Sequence, residues 1–77
     1  MSSQLFNNLE RLDFLIRTKS TGSPSELARK LQMSERNLYY ILDLMKDLGA
    51  PIAYSKSRKS YNYVENGRFS VGFIKNA

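Results

Sequence analysis

Two helix-start signals close together in the chain constrain its fold more than any other feature. In the segment SPSE, the Ser23 hydroxyl can accept a hydrogen bond from the N3 amide while the Glu26 carboxylate accepts one from the Ser23 amide, and Pro24 takes the first helical position. Ser34 provides a second N-cap. The sequence therefore predicts a short helix over about 24–31 and a new helix directly after Ser34.

The two helices and the short turn between them are typical of a helix-turn-helix, whose second helix presents its N-terminal half to a DNA major groove. Ala28 lies where the helices must cross closely, and Gln32 takes a turn position that often holds glycine. A positive φ at Gln32 would cost on the order of 1 kcal/mol. The second helix is predicted over about 35–48, ending before Gly49 and burying Leu38, Ile41, Met45 and Leu48.

A first helix is predicted over about 4–18, because apolar residues recur there at spacings of three and four. The buried stripe comprises Leu5, Leu9, Leu12 and Ile16, and Leu15 widens it. Partial exposure is expected for Phe6 and Phe14. Three charged residues lie elsewhere on the helix, namely Glu10, Asp13 and Arg17.

The hydrophobic period changes from 3.6 to 2 after Pro51, which predicts a β-hairpin over about 52–65. Its tyrosines suit cross-strand packing, with stacking on a nucleobase as the alternative; they are Tyr54, Tyr61 and Tyr63. After a turn at Asn66-Gly67, alternating Phe69, Val71 and Phe73 predict a third strand over about 69–74. This strand could cover the core or pair with a second copy in a homodimer, and both interpretations stay open.

The net charge of +5 and the pI near 9.8 suit a polyanionic partner, with an excess of charge that serves only solubility as the alternative. Most of this excess follows Pro51, because residues 50–77 hold five basic side chains against the single acidic residue Glu65. Three of the five lie between the predicted strands, namely Lys56, Arg58 and Lys59.

The 77 residues include neither cysteine nor histidine. Their lack excludes disulfides, thiolate or imidazole metal sites and histidine-dependent triads. We therefore expect no enzymatic activity and no cofactor. The longest apolar run near the N-terminus, Phe14-Leu15-Ile16, is too short for a signal peptide or a membrane span. The expectation is one cytoplasmic α+β domain over residues 1–77 with no membrane partner.

Residues 9–65 resemble the N-terminal winged helix-turn-helix of the WYL-domain transcription regulators and, more loosely, the biotin-operon-repressor type of winged helix. The matching stretches are SPSELARKLQMSERNLYYILDLMKDLGAPI and YSKSRKSYNY. The resemblance implies a winged helix-turn-helix fold, with three helices, a hairpin wing and an extra C-terminal strand, and bacterial transcription regulation through double-stranded DNA. One difference is Tyr40, where the family often has arginine. We also expect no counterpart of the family's small-molecule sensor domain.

The resemblance also assigns DNA-contacting positions. The second helix of the pair would present Ser34, Arg36, Asn37, Tyr39 and Tyr40 to the groove, and the wing would present Lys56, Arg58 and Lys59 to phosphates or the minor groove. Arginine and asparagine suit guanine and adenine edges, and tyrosine can contact phosphate or a thymine methyl. The alternatives are an ordinary exposed first turn, a tyrosine that covers the core edge, and a solvated tip that protects a strand edge.

Two other functions stay open. A winged-helix frame could serve as a protein-interaction adaptor that does not bind DNA, since folds host unrelated functions. Tyrosines beside basic residues also suit single-stranded nucleic acid, although this hypothesis has less behind it.

Overall fold

The computed structural model describes residues 3–70 and has an α+β architecture, with three helices followed by a two-stranded antiparallel hairpin. The elements are α1 (Ser3–Arg17), α2 (Pro24–Lys30), α3 (Glu35–Asp47), β1 (Ile52–Ser55) and β2 (Ser60–Tyr63). The strands pair from Ile52 opposite Tyr63 to Ser55 opposite Ser60. The predicted α+β class, with three helices ahead of a hairpin, is confirmed, and the layout is compatible with a winged helix.

Both predicted helix caps are formed. The Ser23 Oγ accepts from the Glu26 amide at 3.2 Å, and the Ser23 amide donates to Glu26 Oε1 at 2.8 Å, which completes the capping box. The hydrogen bond from the Ser23 amide is the main reason that the pKa of Glu26 lies below its ordinary value. Ser34 Oγ accepts from the Asn37 amide at 3.0 Å and caps α3.

The turn between α2 and α3 has the geometry that the sequence predicts. Gln32 has a φ of 56°, the left-handed conformation in which glycine is common. The Gln32 amide donates to the Arg29 carbonyl and the Met33 amide to the Ala28 carbonyl, both at 3.0 Å. Met33 packs partly buried against the core. The short connection therefore fixes the start of α3 close to the end of α2.

The core lies between the three helices and the hairpin. Its buried apolar members are Leu9, Leu12, Ile16, Leu27, Ala28, Leu31, Leu38, Ile41, Leu42, Met45, Ala50 and Tyr61. Burying a leucine or isoleucine side chain contributes roughly 1.5–3 kcal/mol, so this cluster is the main source of stability. Leu15, Met33, Ile52, Tyr63 and Phe69 pack around it, partly buried.

The predicted burial is wrong for two residues of the apolar stripes. Leu5 is 49% exposed and Leu48 is 59% exposed. Leu5 lies one turn before Leu9, the first residue of α1 in the core, and Leu48 is the C-cap, after which the chain turns at Gly49 with a φ of 103°. Periodicity identifies the buried side of a helix but not where the elements packed against that side begin and end.

The structure buries Asp13, although the sequence pattern places this residue outside the buried stripe of α1. Only 5% of Asp13 is exposed. Its Oδ1 accepts from the Tyr63 hydroxyl and from the Phe69 amide, each at 2.7 Å, and its Oδ2 pairs with Arg17 Nε at 2.9 Å. A single carboxylate therefore connects α1, β2 and the segment that follows the hairpin.

The predicted third strand is not formed at Phe69 and Ser70, which have no strand conformation. Phe69 instead packs against the core and donates its amide to Asp13. The rest of the predicted strand, 71–74, lies outside the described residues, as does the edge on which the homodimer hypothesis depends.

Candidate nucleic-acid interface

The predicted groove-facing residues lie at the exposed N-terminal half of α3. Leu38, Ile41 and Met45 hold the opposite side of the helix in the core. Arg36 and Tyr40 are one helical turn apart and therefore share a side. We call this surface the α3 face; its members, all exposed, are Ser34, Arg36, Asn37, Tyr39 and Tyr40.

The polar side chains of the α3 face differ in their internal contacts. Ser34 Oγ caps the helix, and the Asn37 Nδ2 approaches Met33 Sδ at 3.8 Å, a weak acceptor. Within residues 3–70, the Arg36 guanidinium forms no salt bridge. Arg36 therefore keeps its planar donors for an external acceptor, as bidentate contact to a guanine or a phosphate requires.

The hairpin tip, residues 56–59, carries three exposed basic side chains on an ordered turn. Lys59 has a φ of 53°, and Ser55 Oγ accepts from the Arg58 amide at 3.3 Å. The Ser55 and Ser57 hydroxyls lie 3.2 Å apart. The backbone is thus held by local hydrogen bonds, while Lys56, Arg58 and Lys59 extend into solvent.

Other basic residues make internal contacts instead. Arg11 Nη2 donates to the Lys30 carbonyl at 2.9 Å, and Lys30 Nζ donates to the Ser20 carbonyl at 2.7 Å. Arg17 pairs with Asp13 at 2.9 Å. In the described part of the chain, none of the three basic residues of the hairpin tip has a salt-bridge partner. The tip is therefore a concentration of uncompensated positive charge.

Two tyrosines of the hairpin pack against each other beneath the tip. The rings of Tyr54 and Tyr61 are 4.9 Å apart in an edge-on arrangement across the two strands, which confirms their predicted cross-strand packing. Burial, and then the neighbouring Tyr39, Tyr54 and Glu35, raise the pKa of Tyr61 to about 12. Tyr61 lies in the same buried cluster as Leu38 and Ile41 of α3. Tyr39 and Tyr40, on the outer side of that helix, are 45% and 67% exposed.

Two buried hydroxyls connect the hairpin with the α1–α2 connection; we call this pair the polar tie. The Thr21 amide donates to Ser60 Oγ at 3.1 Å, and the Tyr61 amide donates to Thr21 Oγ1 at 2.8 Å. Thr21 and Ser60 are 0% and 1% exposed. The polar tie holds β2 at the residue where the hairpin tip ends.

Charge also limits the part of α3 that can approach a polyanion. Asp43 and Asp47 are exposed in the C-terminal half of the helix, where they would repel phosphates. The helix dipole adds partial positive charge at the N-terminal end. The first two turns of α3, which carry the single exposed carboxylate of Glu35 beside Arg36, are therefore better suited than the rest of the helix to contact nucleic acid.

Residues 3–70 contain no group of three or more acidic side chains arranged to hold a metal ion. No helix in the same range has both the length and the apolar character needed to cross a membrane.

No protein-family model, no curated protein and no solved structure matches this chain. The structure by itself defines a small α+β domain with three helices and a hairpin. The resemblance to winged-helix regulators stays a prediction.

The exposed residues of the α3 face and of the hairpin tip could be predicted from the sequence. The buried polar residues that hold the hairpin could not; they are Asp13, Thr21 and Ser60. Two signals could have indicated Asp13. It lies four residues after Leu9, at helical spacing on the edge of the buried stripe. A tyrosine in a strand that packs on the core also needs a partner for its hydroxyl, and a carboxylate can accept that bond.

Proposed function

We propose that this chain is a winged helix-turn-helix domain that binds double-stranded DNA as a small bacterial transcription regulator. The N-terminal half of α3 enters the major groove, and the hairpin, acting as the wing, places its basic tip on flanking phosphates or in the minor groove. One observation carries the proposal. The exposed α3 face and the uncompensated basic tip belong to elements that share one core, because Tyr61 of β2 lies in the same buried cluster as Leu38 and Ile41 of α3.

The chemistry of the two surfaces supports different kinds of contact. Arg36 and Asn37 suit the guanine and adenine edges of the major groove. The tip has lysine and arginine, which neutralise phosphate charge without regard to sequence. A major groove about 12 Å wide admits a helix, so α3 can enter while the wing contacts the backbone beside it.

The test is a fluorescence titration of a labelled random-sequence duplex at two salt concentrations. The three basic residues of the tip, at about 0.9 for each neutralised phosphate, contribute about −2.7 to the slope of log K against log salt, and phosphate contacts made by α3 make the slope steeper. Affinity should then fall at least about fortyfold between about 50 and about 200 mM salt. Weak binding that does not change with salt, or no binding, would contradict the proposal.

A protein-interaction adaptor is the alternative, and one observation favours it. Three large apolar side chains of α1 are exposed, namely Leu5, Phe6 and Phe14. Exposed apolar groups on one element can mark a protein contact. This alternative predicts that duplex DNA leaves the amide chemical shifts of α3 and the tip unperturbed.

A further inference from the structure

The polar tie lies where the hairpin tip joins β2. Ser60 directly follows the tip and pairs with Ser55 across the strands. Thr21 lies two positions before Ser23, the N-cap of α2. The two hydroxyls thus connect the base of the tip to the start of the α2–α3 pair, between residues 39 positions apart in the chain.

Every proton of the polar tie has an acceptor. Ser60 Oγ accepts from the Thr21 amide and donates to the Tyr61 carbonyl at 2.9 Å. Thr21 Oγ1 accepts from the Tyr61 amide and donates to the Gly22 carbonyl at 2.9 Å. Each hydroxyl therefore uses its single proton and accepts one backbone N–H. An apolar contact could fill the same space, but only directed bonds fix both the distance and the rotation of β2.

The hairpin needs such a support. A two-stranded hairpin is at best marginally stable by itself, and here the tip lies at its far end. A flexible tip would lose conformational freedom when it binds, and that loss would weaken the affinity. The tie holds the residue directly after the tip in one place before any ligand arrives.

We propose that Thr21 and Ser60 are positioning residues for DNA binding, which hold the basic tip at a fixed place relative to α3 without contacting DNA. This inference rests on the proposed function and extends it to buried residues. Disruption of the tie should remove phosphate contacts made by the tip and leave those made by α3.

The first test is Thr21→Val, which keeps the shape of the side chain and removes the Oγ1 acceptor. If the displaced tip leaves one or two phosphates unneutralised, the slope of log K against log salt should become shallower by about 0.9 to 1.8, and affinity for a random duplex should fall by about eight- to sixtyfold near 0.1 M salt. Thr21→Ser, which keeps the hydroxyl, should restore binding close to that of the unmodified chain. Ser60→Ala removes the other acceptor and should act as Thr21→Val does, so that the test does not depend on the folding of one variant.

Loss of stability must be separated from loss of position. Ile16→Val shortens a buried core side chain of α1 and should lower the melting temperature without touching the tie. Measured at a temperature where circular dichroism shows all variants folded, Ile16→Val should bind duplex DNA as the unmodified chain does.

A double-mutant cycle tests whether Thr21 affects DNA binding through the basic tip. In a K56Q/R58Q/K59Q background, Thr21→Val should reduce affinity no further, because the tip that it positions has no charge left. The inference is overturned if Thr21→Val and Ser60→Ala bind like the unmodified chain, or if Thr21→Val loses the same factor with and without the basic tip. Failure of the unmodified chain to bind duplex DNA in a salt-dependent way would instead overturn the proposed function.

Discussion

The α3 face and the hairpin tip are held in place by different physical means. The helix is fixed by apolar burial, through Leu38, Ile41 and Met45. The hairpin depends in addition on a few directed polar contacts, with the polar tie at the tip end and Asp13 with Tyr63 at the other end. The position of α3 therefore depends on non-directional packing, whereas that of the hairpin also depends on individual hydrogen bonds, one group of which is made to a charged carboxylate.

The two surfaces also differ in charge. Residues 23–49, which contain α2 and α3, hold four basic and four acidic side chains, whereas three basic residues stand together at the tip. In the proposed function this difference becomes a division of roles. The tip supplies attraction that any duplex can satisfy, and the α3 face supplies discrimination between sequences. Substitutions confined to one surface should therefore change one role and leave the other.

The largest effect is expected from neutralising the hairpin tip. The variant K56Q/R58Q/K59Q should leave about three phosphates unneutralised and bind every duplex about five-hundredfold more weakly near 0.1 M salt, with a slope shallower by about 2.7. The measurement is the same duplex titration, repeated on several sequences.

The matched control removes the same charge elsewhere. Lys19, Lys46 and Arg68 are exposed and lie outside both surfaces. K19Q/K46Q/R68Q should retain most of the affinity and nearly the full slope. If it loses as much as the tip variant, net charge rather than the tip governs binding.

A smaller effect, confined to specific sequences, is expected from the α3 face. Arg36→Ala or Asn37→Ala should narrow the gap between a selected and a random duplex by about 1–3 kcal/mol, because each removes one bidentate base contact. Arg36→Lys keeps the charge and loses the planar fork, so it should preserve random-duplex affinity and still reduce discrimination. Equal losses on all duplexes would show that these side chains do not distinguish bases.

The smallest effect is expected on fold stability, from substitution of Asp13 at the end of the hairpin opposite the tip. Burial alone would raise the pKa of Asp13, but the bonds from Phe69, Tyr63 and Arg17 outweigh it and lower the pKa below its ordinary value of 3.8. The carboxylate therefore stabilises the fold above that pH, and this contribution is lost as the pH falls below 3.8 through the lowered pKa.

Asp13→Asn should accordingly lower the free energy of unfolding by about 1 kcal/mol near neutral pH. In strong acid, where Asp13 is protonated, the two chains should have the same free energy of unfolding. Urea denaturation of both chains at a series of pH values measures this difference in free energy of unfolding. Tyr63→Phe, which removes one of the three donors, should show the same trend to a smaller degree. A constant difference between Asp13→Asn and the unmodified chain at every pH would show that the carboxylate charge does not contribute.

The features that the sequence predicts are those set by neighbouring residues, and the features that it does not predict depend on distant contacts. The caps at Ser23 and Ser34 and the positive φ of Gln32 could be predicted, because each depends on neighbours within a few residues. The hairpin turn followed from the change in period. Local signals therefore predict the three helices and the hairpin.

Asp13 and Thr21 were missed, because their partners lie about forty to fifty residues away and a polar residue has no period that reveals its burial. The exposure of Leu5 and Leu48 was also missed, since it depends on where neighbouring elements end. The sequence pattern therefore does not predict how the hairpin packs against the helices.

Amide chemical-shift mapping of the labelled chain with a random duplex tests the central claim most directly. DNA binding by both surfaces predicts shifts concentrated at residues 34–40 and 56–60, with the exposed Phe6 and Phe14 of α1 unaffected. Shifts confined to α1, or no shifts at all, would contradict the claim that α3 and the hairpin tip form one DNA-binding surface.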